Sequence, residues 1–351
     1  MTDFGVAAGV PGSAAECHFV ASDADSLCRQ FMAAVSSRGT RRVFDDEPIH
    51  ELWGLSGVLE NPRARLFTSS VHPEVFNPAL ALARWLYLFS GSDRLADIVA
   101  YSPAAARFTD DGVTMPGGSH GSRAFYPASG VDQVEGAVAR IAELGETTQS
   151  VIAFHHPTDL ARQTQDYICV TSMLLTLRDD RLHCMLHMRS NEAFQLLWYD
   201  LFEFTMLGEY VAARLGVELG AYLHSGFVFQ ITGDRARERA AEVAEEVEAS
   251  PAMARMPPMT IRDRAAVVDL ERQVRESARH APLAKFVALA AALPEQVDPY
   301  WADVLGGAAL QARFVATPAG ERARLLEEMA GVLIGPLGAR CLAYSAALGA
   351  R

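Results

Sequence analysis

The stretch from Asp166 to Thr232 constrains the fold most. Tyr167–Leu177 is a continuous apolar run, and Arg181–Arg189 alternates polar with apolar residues. The first pattern suits a buried strand and the second a half-buried one. The RDDR segment at 178–181 between them reads as a hairpin turn. Asp200–Leu215 follows as a long apolar helix that stops at Gly216, and Ala221–Ile231 reads as another strand.

Upstream, residues 23–37 place Leu27, Phe31, Ala34 and Val35 at helical spacing. The turn at 37–40 and the residues after it carry Arg38, Arg41 and Arg42. Residues 76–91 begin with Asn77 and Pro78, a cap and a helix-compatible proline, and end at Gly91, a helix stop. A glycine-rich loop spans 112–123, a helix spans Val131–Leu144, and Val151–Phe154 reads as a short strand. From Gly233 the composition changes: a charged helix over 234–250, a linker at 252–259, then Ala- and Arg-rich amphipathic helices. The expected class is therefore α+β, a mixed sheet packed with helices to about residue 232, followed by a helical C-terminal extension over 233–351. Residues 1–16, rich in Gly, Ala and Ser, are expected to be a disordered leader.

The formal charge of −12 argues against binding a nucleic-acid polymer, which needs a basic surface for its phosphates. Apolar stretches such as Phe286–Leu293 are far shorter than the roughly 20 residues that a membrane span requires. The five cysteines, Cys17, Cys28, Cys169, Cys184 and Cys341, are odd in number and form no CxxC pair. Neither a disulfide framework nor a structural zinc site is expected, and a cytoplasmic location is. His183 and His187 lie on one face of their strand; a cross-strand polar face outweighs a metal pair there.

The 166–232 segment resembles the thymidylate synthase superfamily, and within it the cytosine nucleotide (CMP/dCMP) 5-hydroxymethylases. The family pattern is a nucleophilic Cys, a hairpin, an Arg-Ser-Asn-Asp/Glu motif, and then a base-reading Asn or Asp. Here Cys169 is followed 20 residues later by Arg189 and 31 later by Asp200, and residues 189–192 read RSNE. Weaker likeness runs upstream to about residue 55. The resemblance implies one-carbon transfer to carbon 5 of a pyrimidine nucleotide or nucleoside, in a homodimer that uses 5,10-methylenetetrahydrofolate. In that chemistry a thiolate adds to carbon 6 and makes carbon 5 nucleophilic. Cys169 takes that role, with a small buried residue on an apolar strand as the alternative. Arg189 and Ser190 match the phosphate-binding pair, Arg38 a second phosphate arginine, and Glu192 the folate-side acid. Asp200 points to cytosine, because a carboxyl group accepts from the amino group and shares the N3 proton. A helix N-cap is its other reading. His120, where the family often has Tyr, is either a pocket acid–base group or part of a surface turn.

Four departures from the family pattern set this chain apart. Arg84 stands where the family's general-base Glu lies, and no carboxylate occurs between Phe76 and Ser92. Arginine cannot act as a base. It either binds an anionic group or pairs with an acid such as Asp200 or Glu203. Gln149 and Ser150 replace two arginines that reach the neighbouring subunit's phosphate. Gln230 and Thr232 replace the sugar-binding His and Tyr, and no folate-closing tail is recognisable. The leading expectation is a hydroxymethylase-like transferase. The alternatives are a folate-independent enzyme of nucleoside natural-product biosynthesis and a non-catalytic partner subunit.

Overall fold

A computed structural model describes residues 17–44, 46–126 and 130–349. The leader expected at 1–16 lies outside the described residues. The elements are β1 (His18–Ala21), α1 (Ala24–Arg38), β2 (Thr40–Phe44), β3 (Glu47–Leu59), α2 (Pro78–Ser90), α3 (Leu95–Val99), α4 (His120–Phe125) and α5 (Gln133–Leu144). Then come β4 (Ser150–Ala153), β5 (Val170–Arg178), β6 (Arg181–Glu192), α6 (Leu197–Leu215), β7 (Glu218–Thr232) and α7 (Asp234–Ala244). The chain ends in α8 (Ile261–His280), α9 (Leu283–Ala291), α10 (Leu293–Gln296), α11 (Pro299–Ala316), α12 (Arg322–Ala330) and α13 (Pro336–Gly349).

The fold is α+β. One mixed sheet runs β1-β3-β7-β6-β5-β4, with β2 paired to β3. β1 is parallel to β3 and β6 to β7; the other pairs are antiparallel. Local signals explain several boundaries. Asp23 caps α1 by accepting from Ser26 N, and Asn77 caps α2 by accepting from Leu80 N. Gly91 ends α2 in the left-handed conformation. Asp179 and Asp180 take positive φ in the β5–β6 turn, a conformation their short polar side chains tolerate.

α6 lies on the inner face of the sheet, buried nearly all round. Gly208 permits that approach, since a Cβ there would sit 2.6 Å from Cys184 Sγ. The C-terminal helices share the same core. α8, α11 and α13 pack on α2, and Trp301 of α11 stacks on Phe89 at 5.3 Å.

Three expectations need correction. The strand expected from Tyr167 begins at Val170, so Cys169 immediately precedes it. The segment 252–259 is no free linker: Met253, Met256 and Met259 are buried, Met253 N donates to Arg63 O and Met256 N to Glu209 Oε1. The charged helix ends at Ala244, and Glu246 beyond it accepts from Arg29, Ser69, Ser70 and Val71. The sequence pattern does not mark β1 or β3. β3 carries Pro48, Gly54 and Gly57 and the polar pair His50–Glu51, which blur its alternation although it lies inside the sheet.

Candidate active site

The β5–β6 pairing brings Cys169 against Arg189, whose N–H donates to the Cys169 carbonyl at 2.9 Å. Cys169 Sγ lies 3.6 Å from Arg189 Nη2 and 3.7 Å from Ser190 Oγ. The guanidinium is held in place: Nε donates to Ile168 O at 2.8 Å and Nη1 to Ser190 Oγ at 3.1 Å. The sulfur is half-buried. Cationic and hydroxyl donors are thus within reach of the sulfur, and it is not sealed in the core.

At the next residue, Asn191, the chain turns inward. Its amide donates to Asp200 Oδ2 at 2.7 Å, and its buried Oδ1 has no partner among the described residues. Asp200 is not the N-cap of α6. Leu196 occupies that place, and Asp200 sits buried in the first turn. Burial pushes the Asp200 carboxyl up to about 6; Arg84, His120 and the Asn191 amide pull it down, and Glu203 pushes with burial.

Glu203 lies one helical turn beyond Asp200. It pairs with Arg84 Nε, and His120 Nδ1 lies 3.4 Å from its Oε2. Burial acts to raise its carboxyl, but Arg84 and His120 outweigh burial and hold it below the usual range. Arg84 also stands 3.9 Å from Asp200 Oδ1 and 5.2 Å over the Tyr199 ring. Its charge is thus matched from within, the second of the two readings the sequence offered.

His120 opens α4 and is not on a surface turn; its ring meets Phe204 at 5.1 Å and Phe154 at 6.1 Å. The glycines before it serve packing. Gly117 N donates to Asp166 Oδ2 at 2.6 Å, and a Cβ on Gly117 would lie 1.7 Å from the Asp166 carbonyl oxygen. This contact pins the loop to the segment just before Cys169.

Two further expected residues lie at the same end of the sheet. The Glu192 carboxylate accepts from Phe194 N at 3.0 Å, Thr232 N at 3.2 Å and Gln195 N. It shapes the β6–α6 loop, and burial pushes its carboxyl up to about 7 against those amides. Arg38 ends α1; the strand after it pairs Thr40 with Glu51, Glu51 with Gln230 and Gln230 with Glu192. Gln149 is exposed and accepts from Arg140, while Ser150 is buried at the start of β4.

Tyr199 links this cluster to a cavity of about 460 Å³ lined by Phe194, Trp198, Tyr199, Glu74, Arg235 and Arg239. Among the described residues no group of His, Cys, Asp and Glu is placed to hold a metal ion. His183 and His187 instead bond to Ala221 N and Ser225 Oγ.

Residues 100–273 match the thymidylate synthase family. The chain carries a thymidylate synthase-like domain. It is also similar to the deoxyuridylate hydroxymethyltransferase of Pseudomonas phage M6, with 27% identity over 154 residues, 42% of each chain. The chain thus spans about two fifths of the length of that relative.

Within the thymidylate synthase-like domain, sequence reasoning named Glu203 only as a partner for Arg84 and passed over Asn191. A signal for Glu203 existed. α2 and α6 are both apolar helices, and isolated charges inside them, Arg84 on one and Asp200 and Glu203 on the other, must pair when buried. Asn191 gave none, because its inward turn depends on the register of β6.

Proposed function

We propose that this protein transfers a one-carbon unit to carbon 5 of a pyrimidine nucleotide, in the manner of a hydroxymethylase, with cytosine as the base. One observation carries the reading: Cys169 Sγ touches Arg189 and Ser190, and the next residue, Asn191, holds Asp200. Nucleophile, anion donors and base reader thus form one continuous set. Cys169 adds to carbon 6, Arg189 and Ser190 hold the substrate's anionic group, and Arg38 supports them from the end of α1. Asp200 in its neutral form donates to N3 and accepts from the amino group of cytosine.

The family implies 5,10-methylenetetrahydrofolate. Its flat ring system and carboxylate tail suit the cavity beside Tyr199, where Phe194, Trp198 and Tyr199 form aromatic walls and Arg235 adds a cation next to the Arg239–Glu74 pair. When bound there, it would supply the one-carbon unit. Glu192 shapes the loop that carries those walls.

A uracil nucleotide is the second reading, because the phage relative is named for deoxyuridylate. A neutral carboxyl group can also donate to O4 and accept from N3–H.

A homodimer fits the sheet's outer face. The register lines up Val151, Leu174, Met185, Leu223, Val58 and Val20 across the strands. Val20, Val151, Leu174 and Met185 of this row are exposed. A contiguous apolar stripe of that kind marks an association surface. No helix among the described residues is long and apolar enough to cross a membrane.

The test is incubation with dCMP, CMP, dUMP and cytidine, with and without methylenetetrahydrofolate, read by mass spectrometry. A hydroxymethylated cytosine nucleotide is expected, lost in Cys169→Ala and shifted toward dUMP in Asp200→Asn. A product that survives Cys169→Ala would overturn the mechanism.

A further inference from the structure

We propose that His120, oriented by Glu203, is the group that moves the proton at pyrimidine carbon 5. This rests on the reading above, that Cys169 activates the ring.

The argument starts from a substitution of charge. Arg84 occupies the α2 position where a carboxylate base is missing, and it cannot take a proton. Yet it fixes a carboxylate of α6 in the site, since Glu203 is buried against it. Held ionised by that pairing, Glu203 faces His120 Nδ1 at 3.4 Å. Nε2 of His120 has no hydrogen-bond partner among the described residues. A carboxylate on Nδ1 selects the tautomer with its lone pair on Nε2 and stabilises the imidazolium formed when Nε2 takes a proton.

Position supports the role. Phe154 and Phe204 confine the ring, and the Gly117–Asp166 contact ties its loop to the Cys169 segment. Through Glu203 and Arg84 the imidazole is also linked to Asp200, the proposed base reader.

The step balances without a co-reactant. The Cys169 thiolate bonds to carbon 6, and the C5=C6 electron pair moves to carbon 5, which takes a proton from His120 imidazolium. In reverse, the proton returns to Nε2, the C5–H pair re-forms C5=C6, and the Cys169–C6 bond breaks. Repetition in heavy water exchanges the carbon 5 hydrogen for deuterium. In one-carbon transfer the same imidazole removes the proton from substituted carbon 5. Glu203 is a positioning residue here and His120 the catalytic one.

The experiment is loss of the H5 proton NMR signal of dCMP, CMP and dUMP in heavy water without folate. The chains compared are wild type, Cys169→Ala, His120→Ala, His120→Gln and Glu203→Gln, each checked for folding by circular dichroism. Wild type is expected to exchange and Cys169→Ala not to. Both His120 variants should lose at least about 100-fold, the scale of general acid–base catalysis. Added imidazole should restore exchange to His120→Ala, a response that a structural role does not produce. Glu203→Gln should fall about tenfold or more with His120 intact. Exchange at the wild-type rate in folded His120→Ala or His120→Gln would overturn this proposal and leave the Cys169 reading standing. No exchange by wild type with any of the three nucleotides would also overturn this proposal, whereas the parent reading falls only if no hydroxymethylated product forms with methylenetetrahydrofolate.

Discussion

Asp200 shows how burial gives a side chain two functions. As a neutral carboxyl it offers a donor and an acceptor, and as a carboxylate only acceptors. Burial moves its titration up to about 6 from the ordinary value near 4. The folded state therefore binds this proton more tightly than the unfolded chain. The stability this group contributes is full below about 4, falls as pH rises, and is gone above about 6. The total is on the order of 3 kcal/mol. Asp200→Asn cannot titrate. Its unfolding free energy relative to wild type should thus shift in the variant's favour by roughly 2.5 kcal/mol between pH 4 and pH 7.5. Urea unfolding at the two pH values measures this, and a difference that does not vary with pH would refute it.

At the scale of elements, legibility in the sequence followed locality. Asp23, Asn77 and Gly91 set helix ends through bonds a few residues away, and the sequence marks all three. The β5–β6 hairpin was legible for the same reason, and with it the approach of Cys169 to Arg189. β3 was not: β2 pairs with it from close by, but Pro48, Gly54 and Gly57 break its alternation, and its pairings with β1 and β7 span long stretches of chain. The placement of His120 and Glu203 was hidden for a related reason, since it arises from α4 and α6 meeting around a charge on α2. α8 also braces that meeting. Arg264 of α8 is buried 3.7 Å over the Phe125 ring of α4, and its Nη2 donates to Phe89 O of α2 at 2.7 Å. One residue thereby holds together the helices that bear Arg84 and His120. Arg264→Ala should destabilise the protein by about 3 kcal/mol, from a desolvated cation–π contact and charged hydrogen bonds. Arg264→Lys should recover little of this, because an ammonium lacks the planar fork. Denaturant melts of both variants test the point, and a loss below about 0.5 kcal/mol in Arg264→Ala would show that α8 docks without it.

For the whole molecule, the two faces of the sheet have different fates. The inner face buries Leu182, Cys184, Leu186 and Met188 of β6 under α6, while the outer face exposes Met185 beside Leu174 and half-buries Leu223 next to them. Flanking that apolar stripe is a polar row in which His18 bonds Ser56 and His187 bonds Ser225. A second copy placed on this face buries the stripe by apolar contact and keeps the polar row satisfied. Met185 lies near the middle of the stripe, with Leu174 on one side and Leu223 on the other. A carboxylate at that point would be carried by both copies and buried in the dimer without a cation, which costs several kcal/mol. The monomer would keep it in water. Met185→Glu should therefore convert a dimer to a monomer that stays folded, with its melting transition lowered only by the share that association contributes. Light scattering after gel filtration reads the change directly: twice the chain mass for wild type, the single chain mass for the variant. Wild type at the single chain mass, or Met185→Glu at twice that mass, would show that this face is not where two copies meet.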